Sequence, residues 1–391
     1  MRARLWTPVT APLGAAWLGA FAVLHACTGK APGGDTAPRD GGAADSSDAA
    51  FVCEHAEPPA PPDVVDAGGT LDLVFAVEQE CLGTRSTDDA GNLLYKRFGF
   101  DLDHTCTGEG EGASCAEPPS ALPIDHTDGV AGIDNGVVQL ALATGAQGPS
   151  VAECAMNTAS STVEIYRVRD YSGAPDDDHV EVSQYFGFGL SPRADGVNGP
   201  LWDGTDQWTV DPDTLVGSSD GGVPWNKDQP RYRSTTGYVT GFMLVAEFDD
   251  AAILAPQPAA PTPLLPLSQL VLVGRLVPPR DAGAHWDLRD VIEGSRIPVT
   301  TELLGFGLAP PSAGADPPCS SRATYQMLKD TVCPFVDIAS LPGSPKTAPC
   351  DAFSAGLSLT MAPALLGDVG SPALPFGACA QGIHPETDSC Q

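Results

Sequence analysis

The strongest constraint on this chain's fold is a series of short hydrophobic runs that alternate with period two and end at Gly, Pro, Asp or Asn. In the clearest run, 353–361, the apolar residues Phe353, Leu357 and Met361 belong to one set of alternate positions, and small or polar residues fill the other set. A half-buried β-strand requires this alternation. Similar runs occur at 71–77, 137–142, 162–168, 179–186, 237–248 and 269–277.

Helical periodicity is rare in the sequence. One short helix is predicted from about 322 to 331 and a second at 286–293, which ends before Gly294. Many short strands with one or two short helices predict a mainly β protein built as an antiparallel β-sandwich, of jelly-roll or concanavalin-like type. A Pro-rich connection at 251–266 either separates two domains or crosses one domain. We favour one domain at 69–391, since few strong strands follow the connection.

The N-terminus has the pattern of an export signal. Basic residues precede an apolar run at 13–24, which is too short to span a bilayer. The run ends in Leu-His-Ala-Cys, which resembles the lipobox of bacterial lipoproteins, whose cysteine is acylated. We therefore predict a signal peptide at 1–26, lipidation of Cys27, and an outer-membrane or cell-surface location. Because His25 is atypical in a lipobox, ordinary secretion is the alternative.

The segment 27–68 that follows is rich in small, acidic and proline residues. Such a composition buries too little apolar surface to offset the entropy of ordering, so a flexible tether is predicted. The whole chain has 20 Lys and Arg residues and 50 Asp and Glu residues, which gives a formal net charge of −30. Nucleic-acid binders and proteins that dock on anionic lipids carry the opposite charge, so the predicted membrane contact is the lipid anchor alone.

Ten cysteines remain if Cys27 carries the lipid, and an even number in an exported chain predicts five disulfide bonds. The spacing leaves the pairing open, and Cys106 with Cys115 is the most local candidate. No Cys-x-x-Cys pair occurs, so no zinc site is predicted. The ten cysteines are Cys53, Cys81, Cys106, Cys115, Cys154, Cys319, Cys333, Cys350, Cys379 and Cys390.

Three acidic clusters are candidate calcium sites, because Ca²⁺ binds six to eight oxygen atoms. The preferred cluster lies between two predicted strands and contains Asp170, Asp176, Asp177 and Asp178. None of the three has the spacing of a known calcium loop, and aspartate is also an ordinary turn residue, so turn formation is the alternative. The other clusters are Asp125, Asp128, Asp134 and Asn135, and Asp203, Asp206, Asp211 and Asp213.

A group of tryptophans suggests a ligand-binding face. Trp202, Trp208 and Trp225 lie close in sequence, with Asp203 beside the first. Aromatic faces next to carboxylates can stack on a sugar ring and bond its hydroxyls, so an extracellular glycan is a candidate partner. The alternative is that these side chains belong to the core.

A short acidic motif suggests catalysis. Asp101, Asp103 and Thr105 match the D-x-D-x-[TV] pattern of haloacid-dehalogenase-type phosphatases, in which the first Asp is the nucleophile and magnesium is bound. That family needs a parallel sheet with crossover helices, which the hydrophobic runs do not predict. Nucleophile-elbow, Walker, zinc-protease and dinucleotide motifs are absent, so the sequence assigns no catalytic residue.

Six segments together resemble one family. They are FGFDLDHTCT (98–107), DGVAGIDNG (128–136), VRDYSGAPDDDHVEV (168–182), LWDGTDQWTVDPDTL (201–215), ATYQMLKDTVCPFVDIAS (323–340) and APCDAFSAGLSLTMAPALLG (348–367). The combination is similar to a family of uncharacterised, cysteine-rich surface lipoproteins of myxobacteria and related deltaproteobacteria, over about residues 70–370. The resemblance implies a surface lipoprotein and no established activity. His104 and the single Cys106 depart from the family, which has Gly and Cys-x-Cys there.

The sequence thus predicts a cell-envelope lipoprotein that acts as a non-enzymatic binding or structural module, with an extracellular glycan or an envelope protein as partner. Two alternatives stay open. One is a secreted metal-dependent hydrolase that uses Asp101 and Asp103. The other is a calcium-dependent carbohydrate binder, for which Ca²⁺ is the one cofactor considered.

Overall fold

The computed structural model describes most of the chain beyond residue 53. The predicted signal peptide, Cys27, most of the predicted tether, Cys53 and Cys154 lie outside the described residues. The described residues are 54–63, 68–84, 87, 91, 93–107, 112–119, 132–143, 155–156, 162–192, 199–217, 222–254, 263–281, 283–309, 315–373 and 377–391.

These residues form a mainly β structure with few helices, as the alternating runs predict. The strands are β1 (Leu71–Cys81), β2 (Ala155–Met156), β3 (Val163–Tyr171), β4 (Asp177–Leu190), β5 (Gln207–Val210), β6 (Tyr232–Thr240), β7 (Met243–Phe248), β8 (Ala251–Leu254), β9 (Leu264–Leu267), β10 (Gln269–Val277), β11 (Asp287–Pro298), β12 (Ala352–Pro363) and β13 (Leu365–Val369). The helices are α1 (Gly136–Ala143), α2 (Val299–Leu308) and α3 (Arg322–Val332).

Eight strands close into an antiparallel barrel in the order β4-β3-β1-β12-β11-β10-β7-β6, and β6 pairs back onto β4. The closure depends on β4, which has 14 residues and pairs with β3, β5 and β6. The predicted sandwich is therefore corrected to a single closed sheet. Alternating strands fit both architectures, and the β4–β6 pairing that distinguishes them leaves no local signal.

The barrel is buried on both faces over much of its surface. Its inner face carries the largest apolar cluster, to which Phe75, Val182 and Leu272 belong. On the outside, β5 and β13 cover β3 and β4, so Ile165 and Trp208 pack in a second cluster. The β8–β9 hairpin, α2 and α3 contribute to the inner cluster. The hairpin and α2 adjoin the strand ends near Phe248 and Pro298, and α3 packs against α2, so we call this the closed end of the barrel.

Disulfide bonds join distant parts of the chain at this end. Cys115 bonds Cys350 across 235 residues, and the pairs Cys319–Cys379 and Cys333–Cys390 attach the C-terminal segment to the region around α3. Cys81 and Cys106 are disulfide-bonded as well. The predicted pairing of Cys106 with Cys115 is wrong, because Cys115 bonds Cys350.

Three local predictions are also corrected. The helix predicted at 286–293 is part of β11, and the strand predicted at 137–142 is α1, because short apolar runs do not distinguish helix from strand. The single run at 237–248 is divided between β6 and β7 by a turn at Gly241 and Phe242, with φ of 55° and 67°. Positive φ at both central residues is typical of a type I′ hairpin.

The helix predicted at 322–331 is confirmed as α3. The Ser321 hydroxyl accepts a hydrogen bond from the Thr324 N–H at 3.2 Å and caps its first turn. Tyr325, Leu328 and Val332, at helical spacing, are its buried residues. Among the helices that the structure describes, none has the length and apolarity that crossing a membrane would require.

Replacing Gly356 with alanine should destabilise the fold, because the chain segment at 98–99 lies directly on β12 there. A Cβ at this position would lie 2.1 Å from the Phe98 carbonyl oxygen. We expect Gly356→Ala to lower the free energy of unfolding by about 1–3 kcal/mol in urea denaturation. Gly112→Ala is the control, since a Cβ there meets nothing within 4 Å. Equal stability of the two variants would contradict this close contact.

Candidate functional site

The Asp101–Asp103 motif lies on the outer surface of the barrel. Phe100 and Leu102 pack with Val271 and Val273 of β10 in an apolar cluster on this surface. The segment is also hydrogen-bonded to the chain before α1, since the Asp134 N–H donates to the Phe100 carbonyl at 3.1 Å. Because apolar and acidic residues alternate in this segment, Phe100 and Leu102 pack on the barrel. The side chains of Asp101 and Asp103 point away from that apolar contact.

Carboxylates from two separate stretches of sequence converge here. One oxygen each from Asp101, Asp103 and Asp134 lie within 4.8 Å of one another. Asp101 and Asp134 are buried, and Asp103 is half-buried. Among the described residues, no other group of three or more His, Cys, Asp or Glu side chains is spaced closely enough to bind a metal ion. Hard carboxylate oxygens suit Ca²⁺ or Mg²⁺.

The three carboxylates also organise the surrounding backbone. Asp101 Oδ1 and Asp103 Oδ1 accept hydrogen bonds from the Thr105 N–H at 3.2 and 2.9 Å. Asp134 Oδ2 accepts one from the Leu102 N–H at 2.7 Å. Asp101 Oδ2 contacts His55 Nδ1. Both oxygens of Asp101 therefore have partners.

Arg296 supplies positive charge beneath this group. Its guanidinium is buried and donates to the carbonyls of Leu102 and Ala339 and, at 2.7 Å, to Gln269 Oε1. Burial lowers the pKa of Arg296, and the nearby carboxylates, including Asp337, oppose that effect. An arginine stays charged in proteins, so a single buried cation faces four carboxylates.

Burial also affects the acid-base behaviour of Asp103. Desolvation is the main cause that raises its pKa to about 6, and repulsion by Asp101 and Asp337 adds to this. A hydrogen bond with Ser114 and attraction to Arg296 act in the opposite direction. Asp103 is therefore mainly ionised at neutral pH and protonated in mild acid.

Asp337 and Ser354 attach α1 to β12 beside the acidic group. Asp337 Oδ1 accepts from the Ser354 N–H at 2.8 Å, and the Ser354 hydroxyl donates to the other carboxylate oxygen. The same hydroxyl accepts from the Gly136 N–H at 2.7 Å, and Asn135 bonds both backbone groups of Gly356. Sequence reasoning missed Asp337, Ser354 and Arg296, because no local motif marks them and their grouping depends on the folded barrel.

The preferred calcium cluster forms a turn between β3 and β4. Asp177 is buried, and its carboxylate accepts from the N–H groups of Ser172 at 2.7 Å and His179 at 3.1 Å. Asp176 Oδ1 accepts from the Gly241 N–H at 2.8 Å. Asp170 is the next-to-last residue of β3, with φ of 61°, and Asp178 is half-buried on β4. In the part of the chain that is described, these four carboxylates do not converge to metal-ligand spacing.

The tryptophans divide between core and surface. Trp208 on β5 is fully buried, whereas Trp202 and Trp225 are half-buried beside it. The rings of Trp202 and Trp208 lie 5.8 Å apart, inclined at 35°. Asp203 is exposed, and its Oδ1 accepts from the Thr205 N–H and hydroxyl.

Comparison of the chain with models of protein families, with curated proteins and with solved structures gives no match.

Replacing Arg296 with methionine should strongly destabilise the fold. The substitution leaves buried carboxylates without their cation and two carbonyl groups without a donor, so we expect a loss of about 3–5 kcal/mol in urea denaturation. Arg289→Met is the matched control, because that side chain is 62% exposed and pairs with Asp287 on the surface. A loss at position 296 no larger than the control's would contradict the neutralising role of Arg296.

Proposed function

We propose that this chain is an exported cell-envelope lipoprotein whose barrel is a non-enzymatic binding or structural module. The main supporting observation is that the polar groups around Asp101 hold chain segments together. Asp101 and Asp134 accept backbone N–H groups, and Ser354 joins Asp337 to the start of α1. A catalytic nucleophile has to be reached by its substrate, yet Asp101 is only 4% exposed.

The phosphatase alternative has less support from the surroundings of the motif. Aspartyl-phosphate chemistry of that type uses a parallel sheet with crossover helices, whereas Asp101 and Asp103 lie against antiparallel strands. One neighbour of Asp101 also comes from the distal part of the predicted tether, since His55 contacts its carboxylate. This segment adds to the burial of Asp101.

Attachment to the envelope is supported by the sequence and fits how the chain enters the barrel. The Asp101 N–H donates to the Ala56 carbonyl at 3.0 Å, and the Tyr238 hydroxyl donates to the Pro59 carbonyl. The described residues 55–59, in the distal part of the predicted tether, are therefore fixed to the side of the barrel. Even fully extended, the stretch from Cys27 to that point reaches at most about 100 Å, which limits the distance between lipid and barrel.

Replacing Cys27 with serine tests this proposal. In a bacterial host that processes lipoproteins, the wild-type chain should incorporate labelled fatty acid and fractionate with membranes. Cys27→Ser should do neither, because a hydroxyl does not form the thioether to the lipid. Cys27→Ala is the control for general effects of the substitution and should behave as the serine variant does. Absence of label in the wild-type chain would refute lipidation. Recovery of the unlabelled chain in the medium would favour plain secretion.

The surface around Trp202 is where a partner would bind. Half-buried Trp202 and Trp225 lie in the same cluster as β5 and β13, and exposed apolar side chains occur in the same segments. Half-buried aromatic rings with exposed carboxylates such as Asp203 suit stacking on a sugar, so an extracellular glycan or an envelope protein is the proposed partner. The exposed apolar residues of these segments are Leu201, Val216, Val223 and Leu365.

A divalent cation at Asp101, Asp103 and Asp134 is the second candidate function. The observation that favours it is the spacing of their oxygens, together with an excess of carboxylates over the single buried cation Arg296. In this proposal a calcium-class ion would join the segment at 100–105 to the chain before α1. It would thus stabilise the loops rather than activate a substrate.

Thermal melting of the full chain with Ca²⁺ and with chelator tests the cation site. A site with a dissociation constant of about 0.1 mM at about 5 mM Ca²⁺ stabilises the native state by about 2 kcal/mol, which should raise the Tm by a few degrees. Asp134→Asn should remove the shift and still accept the Leu102 N–H. Asp316→Asn, at an exposed position, should keep it. An unchanged Tm in the wild-type chain would refute the cation site and leave the non-enzymatic proposal standing.

A further inference from the structure

The barrel interior contains acidic side chains at positions where a core is normally apolar. In the strand register Tyr166 of β3 lies opposite Phe75 of β1 and Gln184 of β4. Alternation puts Glu164 on the same inner face as Tyr166. Glu293 of β11 lies opposite Leu357, and it is only 3% exposed.

These side chains form one hydrogen-bonded chain. The Tyr166 hydroxyl donates to Glu164 Oε1 at 2.7 Å and also lies 3.2 Å from Glu293 Oε2. Gln184 Nε2 donates to the same Glu164 oxygen at 2.5 Å. A phenol has one proton and cannot donate to both carboxylates. If the phenol donates its proton to Glu164, the hydrogen bond between Tyr166 and Glu293 needs a hydrogen from Glu293. Glu293 is therefore protonated in this arrangement.

The charged groups acting on this pair are all acidic. Desolvation raises the pKa of Glu164 to about 7 and raises that of Glu293 well above its ordinary value. Glu80 on β1 repels both and is itself desolvated, and the pKa of Tyr166 is raised further by the two carboxyls. Glu302 on α2, at the closed end, has a pKa of about 7 through burial alone. The inner cluster also supplies apolar side chains from β7, β8, β10 and β12, and Ser295 of β11 is a buried polar residue on the same face as Glu293. The apolar residues are Ala246, Phe248, Ala251, Leu270, Leu272, Phe353, Leu359 and Met361.

Gln184 connects this chain to the closed end of the barrel. Its Nε2 donates to the Ala252 carbonyl and its Oε1 accepts from the Ala252 N–H, both at 3.0 Å. The amide of Gln184 therefore holds the backbone of β8 and contacts Glu164 at the same time. In the same region the rings of Tyr166 and Phe248 meet edge to face, with centroids 6.3 Å apart.

We propose that Glu164, Glu293, Tyr166 and Gln184 form a pH-sensitive latch that holds β8 on the barrel only while the carboxyl pair keeps a proton. When that proton is lost, two carboxylates share one phenol proton, and no cation among the described residues offsets their charge. Their repulsion displaces Glu164, so Gln184 loses one partner and its hold on Ala252 weakens. The closed end of the barrel is thus tight in mild acid and loosens as the pH rises through neutral.

The direction follows from proton linkage. The folded state holds its protons to higher pH than the unfolded or opened state, in which a glutamate titrates near 4.5. The cluster therefore stabilises the closed state fully below about pH 4.5, and this stabilisation is lost as the pH rises to about 7 and beyond. Each proton involved changes the opening equilibrium by up to tenfold per pH unit in this window.

Hydrogen exchange of the full chain, measured by mass spectrometry from pH 5.5 to 7.5 and corrected for intrinsic exchange rates, tests the latch. In the wild-type chain we expect the protection of β8 to fall by tenfold or more over this range. Glu293→Gln, which carries a permanent hydrogen-bond donor in place of the protonated acid, should reduce the change to less than threefold. Glu247→Gln, exposed on the outside of β7, is the matched control and should behave as the wild type does.

A result in which β8 protection is independent of pH in the wild type, or in which Glu293→Gln keeps the full pH dependence, would overturn the proposal. Infrared spectra of the wild-type chain alone give a second test that does not depend on the variant's folding. A protonated-carboxyl band that decreases between pH 5.5 and 7.5 is expected, to which Glu302 and Asp103 contribute as well as Glu164. Its absence at pH 5.5 would overturn the proposal as well.

Discussion

The pairing of β6 with β4 closes the sheet, and the remaining features depend on that closure. β4 pairs with β3 along 181–187, with β6 along 177–184 and with β5 at 187–190. It therefore belongs to the barrel and to the outer layer at once. A closed sheet has an inside that must be filled and an outside that can carry further layers. Both faces of several strands are therefore buried, and polar groups have to be accommodated on each.

The two faces accommodate buried acids in different ways. On the outer face, the guanidinium of Arg296 offsets part of the charge of the carboxylates near Asp101, and backbone N–H groups bond their oxygens. On the inner face the described residues place no cation against Glu164 and Glu293, and burial raises the pKa of both, which favours their protonated forms. Buried charges in proteins need either a paired charge or a pKa shift, and this barrel uses both.

The proposed structural role rests on features that join distant parts of the chain. The disulfide bonds join the C-terminal segment and the chain around Cys115 to the barrel, and the acidic group on the outer face joins loops that are far apart in sequence. Such a module tolerates exposure outside the cell, where disulfides persist. Its half-buried tryptophans leave one face on which a partner can bind, consistent with the proposed role as an envelope lipoprotein.

Strand content, the presence of disulfides and the position of α3 followed from the sequence. Period-two alternation, ten cysteines besides Cys27 and an amphipathic stretch are visible in the sequence itself. The sequence also marked Asp101, Asp103 and Asp134, but in separate clusters and without Arg296 or Asp337. Tertiary structure alone decided the barrel closure, the Cys115–Cys350 pairing and the inward orientation of Glu164. In β3 the outer layer buries Ile165 while the interior buries Tyr166. Alternation therefore reveals a strand, but it does not show which of two buried faces is the inside, since that depends on contacts between residues far apart in the chain.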